Sequence, residues 1–275
     1  MKILVIILLL SLTINSPSQS INGIVTDKNT NPIPFVSIGI INHNYGTIAG
    51  DSGNFSLDLK RMNPDDTVKF SSVGYKSKDF LVSKIEGNKY MSVRLEENVY
   101  QIGEVQIRPF RKKPIEFGQR KIHKEGGFGF GGFGEGCEVA NLFLNSRSTW
   151  LKELQFHLTF SNYDSILFRI NVYSILDSLP YLIINQSPIF VKTKIKNGWI
   201  KKDIGNFDLI MEDDFVISIE PVQAWGQLSQ NLRNKLQIVL SGKYKNNHGI
   251  MFSRIYSLGY WRKGNMFMDY YLTGY

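Results

Sequence analysis

The alternation of apolar and polar residues predicts a chain built almost entirely of short β-strands. In residues 54–59, for example, Phe55, Leu57 and Leu59 alternate with polar neighbours, a period of two that is typical of a strand with one buried face. Similar runs, bounded by turn-forming residues, occupy 21–26, 35–41, 54–59, 67–72, 78–82, 90–95 and 104–107. Seven such strands favour a β-sandwich of about 85 residues.

The pattern resumes with longer strands in residues 137–275. Phe168, Ile170 and Val172 alternate with Arg169, Asn171 and Tyr173 along one of them. The strand candidates are 153–160, 168–172, 189–195, 215–219, 236–240, 250–256 and 267–272, with one short helix at 228–236. We therefore expect an all-β fold: a seven-stranded transthyretin- or Ig-like sandwich, followed by a second antiparallel sandwich for which a jelly roll is one arrangement.

The first twenty residues have the order of a secretory signal peptide. Lys2 precedes an apolar run over residues 3–12, and small or polar residues follow up to Ser20. A spanning helix needs about 20 apolar residues, so this run is too short to serve as one. We expect an exported protein that does not span the membrane, located in the periplasm or at the outer-membrane periphery, with extracellular release left open. Export also argues against a nucleic-acid partner.

An ordered set of residues in 21–107 resembles the carboxypeptidase-regulatory-like domain. The set comprises Gly23-x-Val25-x-Asp27, Pro34-x-Val36, Gly46, Asp51-x-Gly53-x-Phe55, Ser71-x-x-Gly74-Tyr75, Leu95 and Glu104-Val105. Gly50 and Ser72 depart from it, where a Thr and an aromatic residue are common. The resemblance implies a transthyretin-like sandwich, common in exported proteins of Bacteroidetes-type bacteria, that acts as an accessory or interaction module. It implies no catalytic residues.

Residues 108–136 are interpreted as a linker with two unusual stretches. Residues 108–124 contain seven basic residues and one acid, so this segment carries net +6 of the chain's +8. Such a run is most simply solvated, and contact with an anionic outer-membrane surface is the alternative. The Gly/Phe-rich stretch 126–136 contains Gly129-x-Gly131-x-x-Gly134. Because no βαβ pattern surrounds it, we reject a dinucleotide site and expect a flexible loop pinned by its rings.

The chemistry-bearing residues form no catalytic or metal motif. His43, His123, His157 and His248 are far apart in the sequence, and we expect His157 to be exposed on the polar face of its strand. The single Cys137 is interpreted as a small buried hydrophobe. The acidic run 212–214 suggests a solvated turn, with calcium as the less favoured ligand. We therefore predict no enzyme, no cofactor and no metal, although a paired-carboxylate glycosidase leaves no local signature.

Aromatic residues in turn-rich surroundings are the remaining candidates for a ligand site. They are Trp199, Trp225, Tyr260 and Trp261. Such rings stack on sugars or anchor a protein partner. We predict a non-catalytic binding or assembly protein of the bacterial cell envelope whose partner is an envelope protein or a glycan. The alternatives are a carbohydrate-binding accessory protein and, behind it, a glycan-active hydrolase. Two or more exposed rings in one groove would favour a glycan.

Overall fold

The computed structural model describes residues 20–88, 90–98, 113–123, 126–131, 136–226, 238–244 and 250–275. The signal-peptide prediction, the strand expected at 104–107 and the helix expected at 228–236 fall outside these ranges. So do Arg108, Arg111, Lys112 and Lys124 of the basic run.

The N-terminal region, residues 20–98, is a sandwich of seven described strands in two sheets. The strands are β1 Ser20–Thr26, β2 Ser37–Ile40, β3 Gly46–Ile48, β4 Asn54–Asp58, β5 Thr67–Ser71, β6 Lys78–Leu81 and β7 Tyr90–Arg94. One sheet has the order β4-β1-β7 and the other β3-β2-β5-β6. A four-residue helix, α1 Val82–Ile85, follows β6. The sequence predicted these strands except β3, which has only three residues.

An apolar core lies between the two N-terminal sheets. Val25 of β1, Ile38 of β2 and Phe70 of β5 are completely or almost completely buried in it. Gly53 lies in the turn directly before β4. Its φ is 72°, a positive value that glycine adopts without steric strain.

The C-terminal region, residues 113–275, adds fifteen strands to the described part of the chain. They are β8 Ile115–Gly118, β9 Gly126–Phe130, β10 Glu138–Phe143, β11 Thr149–Ser161, β12 Ser165–Leu176, β13 Leu179–Ile183, β14 Ile189–Thr193, β15 Gly198–Asp203, β16 Ile210–Met211, β17 Phe215–Trp225, β18 Ile238–Tyr244, β19 Met251–Arg254, β20 Arg262–Gly264, β21 Met266–Met268 and β22 Tyr270–Gly274.

These strands form two sheets around a second apolar core. The seven-stranded sheet has the order β13-β12-β17-β10-β19-β20, with β14 also paired to β12. The eight-stranded sheet has the order β21-β18-β11-β22-β8, with β15 and β16 on β11 and β9 on β18. Phe168 and Ile217 from the first sheet meet Leu154 and Leu240 from the second in one buried cluster. The chain is therefore all-β, as predicted.

Part of the segment interpreted as a linker belongs to the eight-stranded sheet. β8 pairs with β22, and β9 pairs with β18. The flexible loop expected over 126–136 is wrong for β9. Its glycines allow close pairing, since a Cβ on Gly127 would lie 2.6 Å from the Leu240 carbonyl oxygen. The expected anchoring by rings is confirmed, because Phe130 is buried and Phe128 packs on the core.

The N-terminal region covers the outer face of the seven-stranded sheet. Phe35 and Ile48 from the N-terminal region and Val222 from β17 form one small apolar cluster. Gln223 of β17 donates a hydrogen bond to Asp51 at 3.0 Å. This contact is separate from the two apolar cores that lie between the sheets of each region. No helix within the described residues is long and apolar enough to cross a membrane.

Candidate ligand-binding groove

The contact between the two regions is built around buried charges. Arg169 of β12 donates two hydrogen bonds to Glu220 of β17, from Nε at 2.7 Å and from Nη2 at 2.9 Å. The same guanidinium donates to the Phe35 carbonyl oxygen at 2.5 Å and to the Ser37 hydroxyl at 3.1 Å. Arg169 therefore joins the seven-stranded sheet to the N-terminal region, and its charge is balanced by Glu220.

A second ion pair lies farther along the same face. Arg254 of β19 donates from Nε to Glu138 Oε1 at 3.0 Å and forms a shorter bond from Nη2 to the same oxygen. Ser218 and Tyr173 donate to the other carboxylate oxygen at 2.5 and 3.0 Å. We call Glu138, Arg169, Glu220 and Arg254 the charged cluster; all four are almost fully buried and their formal charges sum to zero.

The two carboxylates of the charged cluster are tuned in opposite directions. Burial acts to raise the pKa of Glu138, but Arg254 and the Ser218 hydrogen bond outweigh burial, so this pKa lies below its usual value. Burial raises the pKa of Glu220 above its usual value despite the opposing charge of Arg169. The cluster thus holds its most strongly charged carboxylate at Glu138.

A loop from the C-terminal region seals the contact at one end. The Ser257 carbonyl oxygen would lie 2.5 Å from a Cβ on Gly39 and 2.4 Å from one on Gly46. Glycine at these positions allows the loop to reach the backbone of β2 and β3. Just beyond, the Tyr260 hydroxyl donates to the Asn42 carbonyl oxygen.

Beside this seal the two regions leave a groove of about 750 Å³. Its walls come from both regions and share a tyrosine-rich and amide-rich character. The lining residues that matter most are Lys69, Tyr75, Lys76, Asn98, Tyr173, Tyr181, Asn185, Arg254 and Tyr260. A smaller cavity of about 370 Å³ continues on the other side of Tyr75.

Three tyrosine rings are accessible in this groove. Tyr181 is 56% exposed and Tyr260 is 53% exposed. Tyr75 is half-buried, and burial raises the pKa of its hydroxyl, with Asp27 and Glu97 adding to the shift. The Tyr75 hydroxyl therefore stays protonated at neutral pH and can donate a hydrogen bond.

Of the four aromatic residues selected from the sequence, the structure places only Tyr260 in the groove lining. Trp261 lies nearby, but its ring packs on Tyr173 at 5.4 Å and under the Arg254 guanidinium at 4.6 Å. Trp225 is at the end of β17, with the Lys192 ammonium 3.7 Å from its ring centroid.

Trp199 belongs to the other sheet. Its ring meets the His157 ring edge-on at 5.3 Å, on strand β15. The three tryptophans thus serve different local contacts and do not form one platform.

Sequence reasoning missed Tyr75 and Tyr181. Tyr75 stood in the family resemblance only as a fold residue, and Tyr181 lies in β13, which was not predicted. The Asp177-Ser178 pair before β13 could have signalled a hairpin. In the structure both residues have positive φ, at 51° and 63°. That conformation is typical of a tight hairpin.

A second buried polar group lies in the eight-stranded sheet. His123 donates from its backbone N–H to Asp269 at 2.7 Å, and its ring Nδ1 lies 2.8 Å from the same carboxylate. Ser241 donates to Asp269 at 2.6 Å, and His157 Nδ1 lies 3.0 Å from the Ser241 oxygen. His157 is only 4% exposed, so the expectation of an exposed histidine is wrong.

This arrangement runs opposite to a Ser–His–Asp triad. In a triad the histidine removes the serine proton, whereas the Ser241 proton points to Asp269 and His157 therefore donates to the serine oxygen. Burial lowers the pKa of His157, with Asp269 opposing the shift, which matches a neutral donor ring. The group joins β11, β18 and the segment around His123.

The acidic run lies at an exposed turn, as expected, whereas Cys137 is less buried than expected. Glu212 and Asp214 are exposed and cap the 145–148 turn, accepting from the Ser148 hydroxyl and the Asn145 N–H at 2.8 Å each. No group of three or more potential metal-ligating His, Cys, Asp or Glu side chains occurs among the described residues. Cys137 is half-buried and packs against the C-terminal core.

Of the basic run, Lys113, Arg120 and Lys121 are described. The Arg120 guanidinium lies 4.3 Å from the Tyr271 ring centroid and donates to its hydroxyl at 2.6 Å. Arg120 therefore packs on the eight-stranded sheet as well as carrying charge to the surface.

One family model matches the N-terminal sandwich, which contains the turn at Gly53 and the Gly74-Tyr75 segment. Residues 21–107 match the CarboxypepD_reg-like domain family. The match covers about a third of the chain. The CarboxypepD_reg-like region thus supplies one wall of the groove, and the C-terminal region supplies the other.

Two solved structures show remote likeness to the whole chain. One contains the cysteine protease and lectin-like domains of Cwp84, a surface layer associated protein of Clostridium difficile, with 8% identity and a TM-score of 0.39. It covers 84% of this chain, and the chain spans 45% of that structure.

The other is BcpA, the major pilin subunit of Bacillus cereus, with 10% identity and a TM-score of 0.20. The match covers 90% of this chain and 68% of the pilin chain. At these TM-scores neither likeness assigns an activity. No curated protein matches the chain.

Proposed function

We propose that this chain is an exported, non-catalytic binding protein that holds a saccharide in the groove between its two regions. The observation that carries the proposal is the presence of three accessible tyrosine rings, Tyr75, Tyr181 and Tyr260, on one groove. Tyrosine offers a flat apolar face and a polar tip, which suits the alternating apolar and hydroxyl surfaces of sugars.

The other groove walls support the same ligand class. Asn42 and Asn98 bring amide groups to the lining, and Ser71, Ser72 and Ser77 bring hydroxyls. A volume of about 750 Å³ lies within the range of small-molecule sites, about 300–1,000 Å³. The groove therefore has room for a short oligosaccharide and the hydrogen-bonding groups to orient it.

The experiment is a glycan array probed with the mature chain, residues 21–275, and with Tyr181→Ala and Tyr260→Ala. We expect saturable binding to a defined set of glycans that either substitution weakens at least tenfold, about 1.4 kcal/mol. Tyr90→Ala is the matched control, because Tyr90 is 61% exposed on β7 and lies outside the groove lining. Equal weakening by the control, or no glycan binding at all, would overturn the proposal.

Docking to an envelope protein is the second candidate function. The hairpin of β12 and β13 exposes a concentration of apolar side chains: Leu176, Leu179, Tyr181, Leu182 and Ile184. Exposed apolar patches of this kind mark interaction sites. An affinity pull-down with a Leu176→Ser, Leu179→Ser variant, changed at two exposed positions outside the groove lining, tests it, and recovery of one envelope protein by the native chain alone would favour docking over sugar binding.

Where the protein acts follows from the same proposal. Export to the periplasm or the outer-membrane periphery is supported by the order of residues 1–20. Contact of the 108–124 segment with anionic outer-membrane lipid is supported by its net charge of +6. Cell fractionation, with and without replacement of its lysines and arginines by glutamine, tests both statements.

A further inference from the structure

The groove lining has an uneven charge. Lys69, Lys76 and Arg254 all line it, whereas none of the described lining residues is an aspartate or glutamate. A ligand in the groove therefore meets basic side chains, whereas a carboxylate, that of Glu97, lines the smaller cavity.

The three basic residues differ in how far their charge is already balanced. Arg254 is buried against Glu138, so its charge is already balanced inside the protein. Lys76 lies 3.4 Å from Glu96, but both side chains are more than 60% exposed, and such surface pairs are weak. None of the described residues forms an ion pair with Lys69, although Asp79 lies opposite it on β6, on the same face of the sheet.

The position of Lys69 follows from the register of its sheet. Val68 and Phe70 point into the N-terminal core, so Lys69 points to the outer face of β5, toward the C-terminal region. Its partner on β2 is Gly39, where Ser257 and Leu258 fill the space of the absent side chain. Lys69 therefore lies close to the loop that carries Tyr260. Its partner on β6, Asp79, is exposed and is not part of the lining.

We propose that the groove selects an acidic saccharide, one that carries a uronic-acid carboxylate or a sulfate ester, and that Lys69 contacts the anionic group with Lys76 as a second contact. This inference rests on the proposed saccharide site and adds the charge of the ligand to it. A neutral saccharide would leave the Lys69 charge without a partner, while an acidic one gains a charge-assisted hydrogen bond.

The experiment compares matched pairs of probes that differ only in charge. Tetragalacturonate is measured against its methyl ester, and a sulfated galactan oligosaccharide against its desulfated form, by biolayer interferometry with the mature chain. We expect the acidic member of one pair to bind at least tenfold more tightly. Binding should weaken between 0.05 and 0.5 M NaCl, since salt screens the attraction over a few ångströms.

Substitutions then separate this inference from the proposed function. Lys69→Gln should bring the affinity for the acidic probe down to that for the neutral probe, whereas Tyr260→Ala should weaken the binding of both. Lys84→Gln on α1 is the matched control outside the lining, and unchanged near-UV circular dichroism establishes that each variant is folded. Equal affinity for both members of each pair, with sensitivity to Tyr260→Ala, would overturn the charge selection and leave the saccharide site standing. Absence of binding to every probe and to the glycan array would overturn both.

Discussion

The two faces of the seven-stranded sheet are both buried, yet they carry opposite chemistry. On β12, Phe168 and Ile170 face the apolar core, while Arg169 and Asn171 face the CarboxypepD_reg-like region. The apolar face excludes water without needing specific partners. The outer face combines apolar contacts, such as that of Tyr173 with Phe252, with charges that are stable because each meets its opposite. Apolar packing on the first face therefore tolerates changes in detail, whereas the paired charges on the second face fix one relative position of the two regions.

The largest test of this difference is the substitution Glu138→Gln. It leaves the Arg254 charge buried without a counter-charge, and breaking a buried ion pair costs about 3–5 kcal/mol. We expect the free energy of unfolding in urea to fall by this amount. The double variant Glu138→Leu, Arg254→Met removes both charges and should recover much of the loss, because apolar replacement of a buried pair is often neutral. Equal losses in the single and double variants would mean that the pair is not coupled.

A smaller effect is expected from two neighbours on β17. Ser218→Ala removes a hydrogen bond to the Glu138 carboxylate and should cost about 1.5–3 kcal/mol, the range for bonds to charged groups. Ile217→Val, on the apolar face, should cost about 0.5–1.5 kcal/mol. Both positions are fully buried, so denaturant unfolding of the pair compares the two faces at equal burial. A larger loss for Ile217→Val would reverse the comparison.

The smallest test extends the comparison to the eight-stranded sheet, where His157 is a buried polar residue between the buried apolar residues Phe156 and Leu158. Its pKa is lowered in the folded chain, chiefly by burial. The stability it contributes is therefore present above its ordinary pKa, about 6.5, and is lost as the pH falls through the lower folded-state value.

We expect the difference in unfolding free energy between the native chain and His157→Gln to shrink as the pH is lowered from 7.5 to 5. The glutamine amide can still donate to Ser241 and does not titrate. A difference that stays constant over this pH range would contradict the assignment of a neutral His157.

Alternation along the chain predicted the longer strands, such as β11, β12 and β17, but it missed shorter ones, such as β13 and β15, and did not show what covers each strand. The pattern in residues 168–173 is the one that a half-exposed strand would show, because sequence cannot distinguish water from a polar partner surface. His157 was misassigned as exposed for the same reason. β3 was missed because Gly46 weakens the strand pattern; a side chain there would collide with the carbonyl oxygens of Ile38 and of Ser257, the latter more than 200 residues away.

The groove was beyond sequence reasoning for a related physical cause. Its rings, Tyr75, Tyr181 and Tyr260, come from three distant segments and two regions of the chain. Tyr260 was selected because its turn-rich surroundings predicted exposure, and it is exposed. The tryptophans were selected by the same rule, but large rings also bury themselves against arginine and lysine side chains, as Trp261 and Trp225 do.

The position of β22 has a consequence for the order of folding. Tyr270–Gly274 lies between β11 and β8 within the eight-stranded sheet, so the strand furthest along the chain is a central one. Until residues 270–274 join the sheet, β11 and β8 each have an unpaired edge. Unpaired strand edges can pair with other chains.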